Sequence, residues 1–317
     1  MIDVVALGEL LIDFTCVSTD SDGYPTMAAH PGGAPANFLA ALTKFGAKTA
    51  FLGKVGNDAL GKLLVNTLQQ AGINTQGLIV SDDVFTTMAF VTLDEHGDRE
   101  FSFARKPGAD TCITFEELDL SLIDQAKVFH FGTLSLTDEP ARSATYQVVE
   151  YAKSKGKLIT YDPNLRKPLW KSPDDAKQQM LWGLSQADVV KISDEEVEFL
   201  FGLDVREGAE YILKNYPVKL LFVTCGPDGC FFKNAAGEGM VPGLQEIRVV
   251  DTTGAGDIFG GSALWKLLQL EQDPATLPAE TLTDVVRFAC TSAGLSTTKP
   301  GGISSVPDYD IVLSSCK

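Results

Sequence analysis

The 317-residue sequence is short of several things that would assign it to a class at once. No apolar run reaches the ~18 residues a membrane-spanning helix needs. Met1-Ile2-Asp3 leads into a strand-like segment without a basic leader, so the expected location is the cytoplasm, with no membrane partner. Basic residues are scarce, 26 Lys and Arg against 42 Asp and Glu, and the formal charge of −16 argues against a nucleic-acid partner, whose backbone needs clustered cations. The six cysteines, at 16, 112, 225, 230, 290 and 316, contain no Cys-x-x-Cys pair and come with three histidines, which disfavours zinc and fits a reducing compartment. Internal repeats and low-complexity tracts are absent as well.

What is present is a βα rhythm with 44% hydrophobic residues, ample for a core. Ile2 to Leu7 reads as a strand, and Leu10 to Val17 as another that carries Asp13 in an apolar setting. Asp13 either faces solvent or receives ligand hydroxyls. The segment Pro31-Gly32-Gly33-Ala34-Pro35 breaks the chain before a helix from Ala36, in which Asn37 is a first-turn residue or a ligand. A strand at Thr49 to Leu52, an amphipathic helix from Asp58 to Ala71 and a strand at Gln76 to Val80 follow.

Two strand-like runs, Thr86 to Leu93 and Glu100 to Arg105, flank a polar turn at 94–98 and predict a hairpin. A hairpin inserted in an α/β series does not join a parallel sheet easily. It is therefore expected to pair with Leu10 to Val17 as a small lid, built from about 10–30 and 85–106. Strands and helices then alternate through Lys127 to Phe131, Pro140 to Lys155, Lys157 to Tyr161, Pro173 to Gln186 and Asp188 to Ile192. The expected fold is one α/β domain over 1–317, a doubly wound, mostly parallel sheet flanked by helices. Ligands in such sheets bind beyond the carboxyl ends of the strands, where Asp162, Asn164 and Arg166 fall. Ser193 and Glu196 have capping-box spacing. After Lys219 to Thr224 come the turn 225–229, further short strands to Val250 and a helix at Glu280 to Thr298.

Asp251-Thr252-Thr253-Gly254-Ala255-Gly256-Asp257 is a second glycine turn entering a helix. Gly254 and Gly256 let successive N–H groups converge on one point, and the positive end of the following helix makes that point attractive to phosphate. Asp257 at the rim either complements the helix dipole or takes a proton from an attacking hydroxyl. The glycine pattern approaches a dinucleotide fingerprint, but that element belongs in an early βαβ unit with an acid about 20 residues on, and this one lies four-fifths along the chain.

The two glycine turns together, with Gly8-Glu9-Leu10-Leu11-Ile12-Asp13, Arg105-Lys106-Pro107-Gly108-Ala109-Asp110, Asp162-Pro163-Asn164-Leu165-Arg166, Val223-Thr224-Cys225-Gly226 and the Gly-Gly-Ile-Ser-Ser-Val-Pro near the end, resemble the ribokinase-like (PfkB-type) carbohydrate kinases, and within them the fructokinases. The resemblance covers essentially the whole chain and implies ATP-dependent phosphorylation of the primary hydroxyl of D-fructose to fructose 6-phosphate. It implies Asp257 as base and the 254–256 backbone, Ala255 included, as anion hole. Asp13, Gly32, Gly33, Asn37 and Asn164 match sugar-binding positions, and Arg105 and Arg166 match positions facing the sugar or the γ-phosphate. Thr224, Gly226 and Gly229, with Lys191, match the nucleotide turn.

Many relatives have Asn-x-x-Glu for a hydrated magnesium ion; here Ser193 replaces the Asn, so Glu196 is either a water-mediated magnesium partner or half of the capping box. Asp251, Thr253 and Ser305 resemble a monovalent-cation site, which makes potassium a candidate. Alternatives are a 2-keto-3-deoxygluconate kinase or ribokinase of the same family, or a non-catalytic sugar-binding regulator on the kinase fold. An exposed lid edge points to a homodimer through the lid.

Overall fold

The computed structural model describes residues 1–93 and 99–316. In chain order its elements are β1 (Ile2–Leu7), β2 (Leu11–Thr19), β3 (Pro25–Gly32), α1 (Ala34–Lys44), β4 (Thr49–Gly56), α2 (Ala59–Gln70), β5 (Leu78–Ser81), β6 (Met88–Leu93) and β7 (Arg99–Ala104). There follow α3 (Leu120–Asp124), β8 (Ala126–Gly132), α4 (Ala141–Ser154), β9 (Leu158–Asp162), α5 (Pro173–Gln186), β10 (Val189–Ser193), α6 (Asp194–Phe201) and α7 (Val205–Asn215). The last are β11 (Leu220–Thr224), β12 (Cys230–Asn234), β13 (Glu238–Val241), α8 (Ala255–Leu270), α9 (Ala279–Ser296) and α10 (Tyr309–Ser315).

The large sheet runs β13-β12-β11-β10-β9-β8-β1-β4-β5, parallel throughout except where β12 and β13 return antiparallel at one edge. Alternate strand residues feed two cores. Val5, Leu7, Phe129, Phe131 and Ile192 pack with the helices from α3 to α7, while Val4, Ala6 and Val128 pack with α1, α8 and α10. Burial of each such side chain contributes ~1.5–3 kcal/mol, which is why continuous apolar strands commit to a two-sided layer. The chain switches direction in the strand order beside β1, and the carboxyl ends of β1, β9 and β10 open toward one face.

The second sheet has the order β3-β2-β6-β7. Its hairpin pairs with β2 as expected, in parallel, with Ile12 opposite Met88 and Phe14 opposite Phe90. The turn expected at 94–98 lies outside the described residues. The break expected over 31–35 narrows to Gly33: β3 runs through Pro31 and Gly32 and pairs them with Ile12 and Leu11, and α1 begins at Ala34 rather than Ala36. As the outer strand of this sheet, β3 tolerates proline. Strands expected to continue to Val250 end at Val241. Asp58 caps α2 by accepting the Gly61 N–H at 2.7 Å and also accepts the Thr86 N–H at 2.8 Å, so it holds the hairpin's entry against the large sheet.

Candidate functional site

The glycine turn at 254–256 is built as the sequence suggests. Gly254 caps α8 with φ 75°, a left-handed conformation that costs an L-residue roughly 1–2 kcal/mol. Asp257 lies in the first turn of α8, buried, and accepts a hydrogen bond from Asn37 Nδ2 at 2.9 Å. Burial pushes the Asp257 carboxyl above its ordinary range, against the pull of the Asn37 bond and of Lys191 and Arg166.

The early glycine turn exists because three groups approach closely. A Cβ on Gly32 would lie 2.5 Å from Asp13 Oδ2, and one on Gly33 would lie 2.4 Å from the Glu9 carbonyl oxygen, at φ 124°. Only glycine permits this contact between β3, β2 and the start of α1. Asn37, one turn into α1, keeps Oδ1 buried with no hydrogen-bond partner among the described residues. Such an acceptor, costly to leave unpaired, is suited to a ligand hydroxyl.

These turns line one cleft of about 420 Å³ together with Leu11, Phe103 of the lid, Leu134, Asn164, Arg166, Lys191, Ser193 and Glu196. A larger groove of about 910 Å³ lies elsewhere, between α1, α8, α9 and α10, lined by Lys44, Trp265 and Lys266 among others. It holds neither glycine turn nor buried acid; both lie in the smaller cleft.

Charge in the cleft is layered. Asp13 is pushed up to about 6 by burial, with the Arg166 guanidinium pulling it down. Lys191 on β10 pairs with Asp162 at 3.1 Å, and burial raises Asp162 to about 6 despite that partner. A Cβ on Gly256 would sit 3.0 Å from Lys191 Nζ, so this ammonium stands directly beside the turn. Asn164 has φ 47° and donates its N–H to Asp162 Oδ1 at 3.1 Å, an Asx turn at the end of β9.

Other expected residues sit differently. Arg105 is not among the cleft-lining side chains: it is buried in an ion pair with Asp110. Thr224, Gly226 and Gly229 also lie off the described cleft, Thr224 at the end of β11 opposite Ser193 and the two glycines in the turn from β11 to β12. Gly229 has a local reason to be glycine, since a Cβ would meet the Val241 carbonyl oxygen at 2.0 Å. Ser193 and Glu196 form the full capping box, and the other Glu196 oxygen accepts the Leu165 N–H at 2.7 Å. Asp251 Oδ1 accepts the N–H and hydroxyl of Thr253, and Oδ2 accepts the Gly301 N–H at 2.9 Å. Ser305 is buried one short turn further on, its hydroxyl donating to the Gly302 carbonyl.

Glu9, Phe103 and Leu134 carry no assignment from sequence, and Asp162 only its place at the ligand-binding end of a strand. Glu9 Oε1 accepts the Ala34 N–H at 2.8 Å, bracing the start of α1, and burial pushes Glu9 up to about 7. Its place directly after Gly8, at the end of a buried strand, was the available signal.

The profile of the pfkB family carbohydrate kinases matches residues 1–309. The chain belongs to this family. Among curated relatives of this carbohydrate kinase, Fructokinase-2 of Solanum lycopersicum is 42% identical over 99% of the chain and 96% of its own length. Fructokinase-1 of Zea mays is 42% identical over 98% and 96%. Among solved structures, a fructokinase with bound ATP from Xylella fastidiosa superposes with a TM-score of 0.90 at 30% identity, covering 99% of this chain and 97% of that one. A fructokinase from Vibrio cholerae O395 with fructose, ADP and calcium bound gives 0.87 at 29% identity, covering 100% and 99%. The family expected from the paired glycine turns is the family found, and it makes the protein a phosphotransferase acting on a sugar hydroxyl.

Proposed function

We propose that this kinase transfers the γ-phosphoryl of ATP to the primary hydroxyl of D-fructose, giving fructose 6-phosphate. The observation that carries the proposal is Asp257: a buried carboxylate at the mouth of a backbone anion turn, bonded to Asn37 and facing the same cleft as Asp13. Asp13 and the free Oδ1 of Asn37 accept sugar hydroxyls, and Asn164 and Arg166 border them. Asp257 takes the proton of the attacking hydroxyl, and its raised affinity for a proton makes it the stronger base. The N–H groups of Gly254 and Gly256 face the charge that grows on the transferred group, each such donor typically worth ~3 kcal/mol; that of Ala255, expected to join them, donates to the Thr252 carbonyl at 3.3 Å. Thr224, Gly226 and Gly229, one strand beyond Lys191, are proposed to line the nucleotide.

Among the described residues no three acids, histidines or cysteines converge on a metal site. That fits magnesium, which keeps its waters and is carried by substrate phosphates. Glu196, with both oxygens already accepting backbone N–H groups, would reach it through water. Magnesium supplies neutralising charge on the phosphates. A potassium ion is proposed at Asp251 and Thr253, with Ser305 of the loop that contacts Asp251 as a further candidate ligand. The chain is proposed to act as one α/β unit that dimerises through its lid, where Val17 and Tyr24 are exposed on the β2–β3 hairpin; a monomer by sedimentation would remove that part. No helix among the described residues is long and apolar enough to cross a membrane.

A sugar acid such as 2-keto-3-deoxygluconate fits less well. The cleft carries Glu9 and Asp13, and of its two cations among the described lining residues, Arg166 and Lys191, the second is already paired with Asp162; Arg105 lies off the cleft, paired with Asp110. Turnover of ATP with fructose, ribose and 2-keto-3-deoxygluconate decides the matter: fructose is expected to give the highest kcat/KM, and a higher value for either other sugar overturns the assignment. Absence of turnover with all of them would favour a sugar-binding regulator.

A further inference from the structure

Arg105 directly follows β7, and what surrounds it is the base of the lid. Its Nε donates to Asp110 Oδ2 at 2.8 Å, and Nη2 lies 2.7 Å from the same oxygen. Nη1 donates to Thr137 Oγ1 at 2.7 Å and Nη2 to the Leu134 carbonyl at 2.8 Å, so every guanidinium nitrogen is engaged. The other Asp110 oxygen accepts the hydroxyl of Thr87, the residue just before β6. Both side chains of the ion pair are almost fully buried, at 3% and 2% exposure. A Cβ on Gly108 would lie 1.8 Å from the Thr87 hydroxyl and 3.1 Å from Arg105 Cγ, which shows how tightly this corner is closed.

One cation thus ties together the two roots of the hairpin, at Thr87 and Arg105, and the loop after β8. The same loop contributes Leu134 to the cleft, and β7 contributes Phe103 two residues before Arg105. We propose that Arg105 is a positioning residue, which clasps the lid to the large sheet and fixes Phe103 and Leu134 over the sugar end, and that it does not itself touch the sugar. The proposal rests on the assignment of that end to the sugar.

The clasp is tested with Arg105→Met, Asp110→Asn and Thr87→Val, none of which lines the cleft. Each is expected to raise KM for fructose roughly five- to thirtyfold with KM for ATP unchanged. The Arg105→Met/Asp110→Asn double variant is expected to be no worse than the worse single, because one unit is lost. Amide exchange should quicken about tenfold in β6 and β7 and stay unchanged in β9, which separates a loosened lid from a damaged fold. If Arg105→Met is impaired while Asp110→Asn and Thr87→Val behave as the parent, Arg105 is a ligand and the proposal fails. Should Asp110→Asn not fold, Thr87→Val carries the same test with a near-isosteric change. Unaltered lid exchange in Thr87→Val and Arg105→Met also overturns it. If the parent protein does not phosphorylate fructose, the substrate reading fails while the exchange measurement still decides the clasp.

Discussion

Asn37 Nδ2 and Asp257 Oδ2 are 2.9 Å apart in a buried contact that joins residues 220 positions apart in sequence. The bond orients the carboxylate without consuming its second oxygen. Asp257→Asn preserves shape and an acceptor for Asn37, so kcat is expected to fall ~10²–10⁴-fold, the usual worth of a general base, with fructose affinity by calorimetry little changed. Near-parent turnover would rule out the base.

Gly254→Ala meets two obstacles. Its φ of 75° disfavours any Cβ, and that Cβ would lie 3.0 Å from both Asn37 Nδ2 and Gly302 Cα. The expected result is a Tm lowered by a few degrees and a kcat lowered by ~10²–10³-fold as the anion turn shifts. A variant with parent kcat would show that the turn's geometry is unimportant.

Asp13 and Asp257 both take up protons more readily than ordinary carboxyls, chiefly through burial, but they act on different constants. Asp13 binds as a carboxylate, so KM for fructose is expected to rise as pH falls through about 6. In Asp13→Asn that limb should flatten, with KM high throughout, while the acid limb of kcat remains because Asp257 is intact. An unchanged KM profile in the variant would clear Asp13 of sugar binding.

His130 stacks on Phe38 with ring centroids 3.8 Å apart and lies 3.0 Å from Thr160 Oγ1. Burial, aided by Lys191, lowers its pKa to about 3, from 6.5 in an unfolded chain. The folded state thus refuses a proton that the unfolded chain accepts, and stability present above pH 6.5 is lost as pH falls toward 3. Glu9, raised to about 7, works in the opposite sense: its contribution is full below its unfolded value of 4.5 and is lost as pH rises through 7. In His130→Phe, denaturant unfolding between pH 6.5 and 4.5 should show a smaller loss of stability on acidification than in the parent. An equal slope would mean that His130 titrates normally.

Potassium at the Asp251 junction makes a simple prediction. Replacing potassium by a bulky organic cation should lower kcat several-fold, and Asp251→Asn should abolish the difference between the two salts. Equal rates for the parent protein in both salts would remove the ion from the proposal.

Much of this was legible because the information was local. Buried parallel strands announce themselves as continuous apolar runs such as Val4 to Leu7, and both glycine turns show their need for positive φ or close approach in composition alone. The strand β3 was hidden because Pro-Thr-Met-Ala-Ala-His-Pro-Gly has neither alternation nor β-branched weight; its pairing with β2 is imposed from outside. Arg105 was placed correctly at the lid's end, yet its partners Asp110, Thr137 and Leu134 belong to turns whose approach no spacing reveals. Glu9 stayed unassigned, and the pairing of Asp162 with Lys191 unforeseen, for the same reason, since these contacts come from neighbours 25 and 29 residues away.

Because α1 supplies Asn37 and α8 supplies Asp257, the active centre cannot exist on a ribosome until four-fifths of the chain has been made. A chain interrupted before Asp251 would contain the residues of β1 to β13, the lid strands included, while lacking both the base and the anion turn. Such a product carries every proposed sugar contact but has no means of spending ATP, so interrupted synthesis leaves an inert chain rather than an unregulated ATPase.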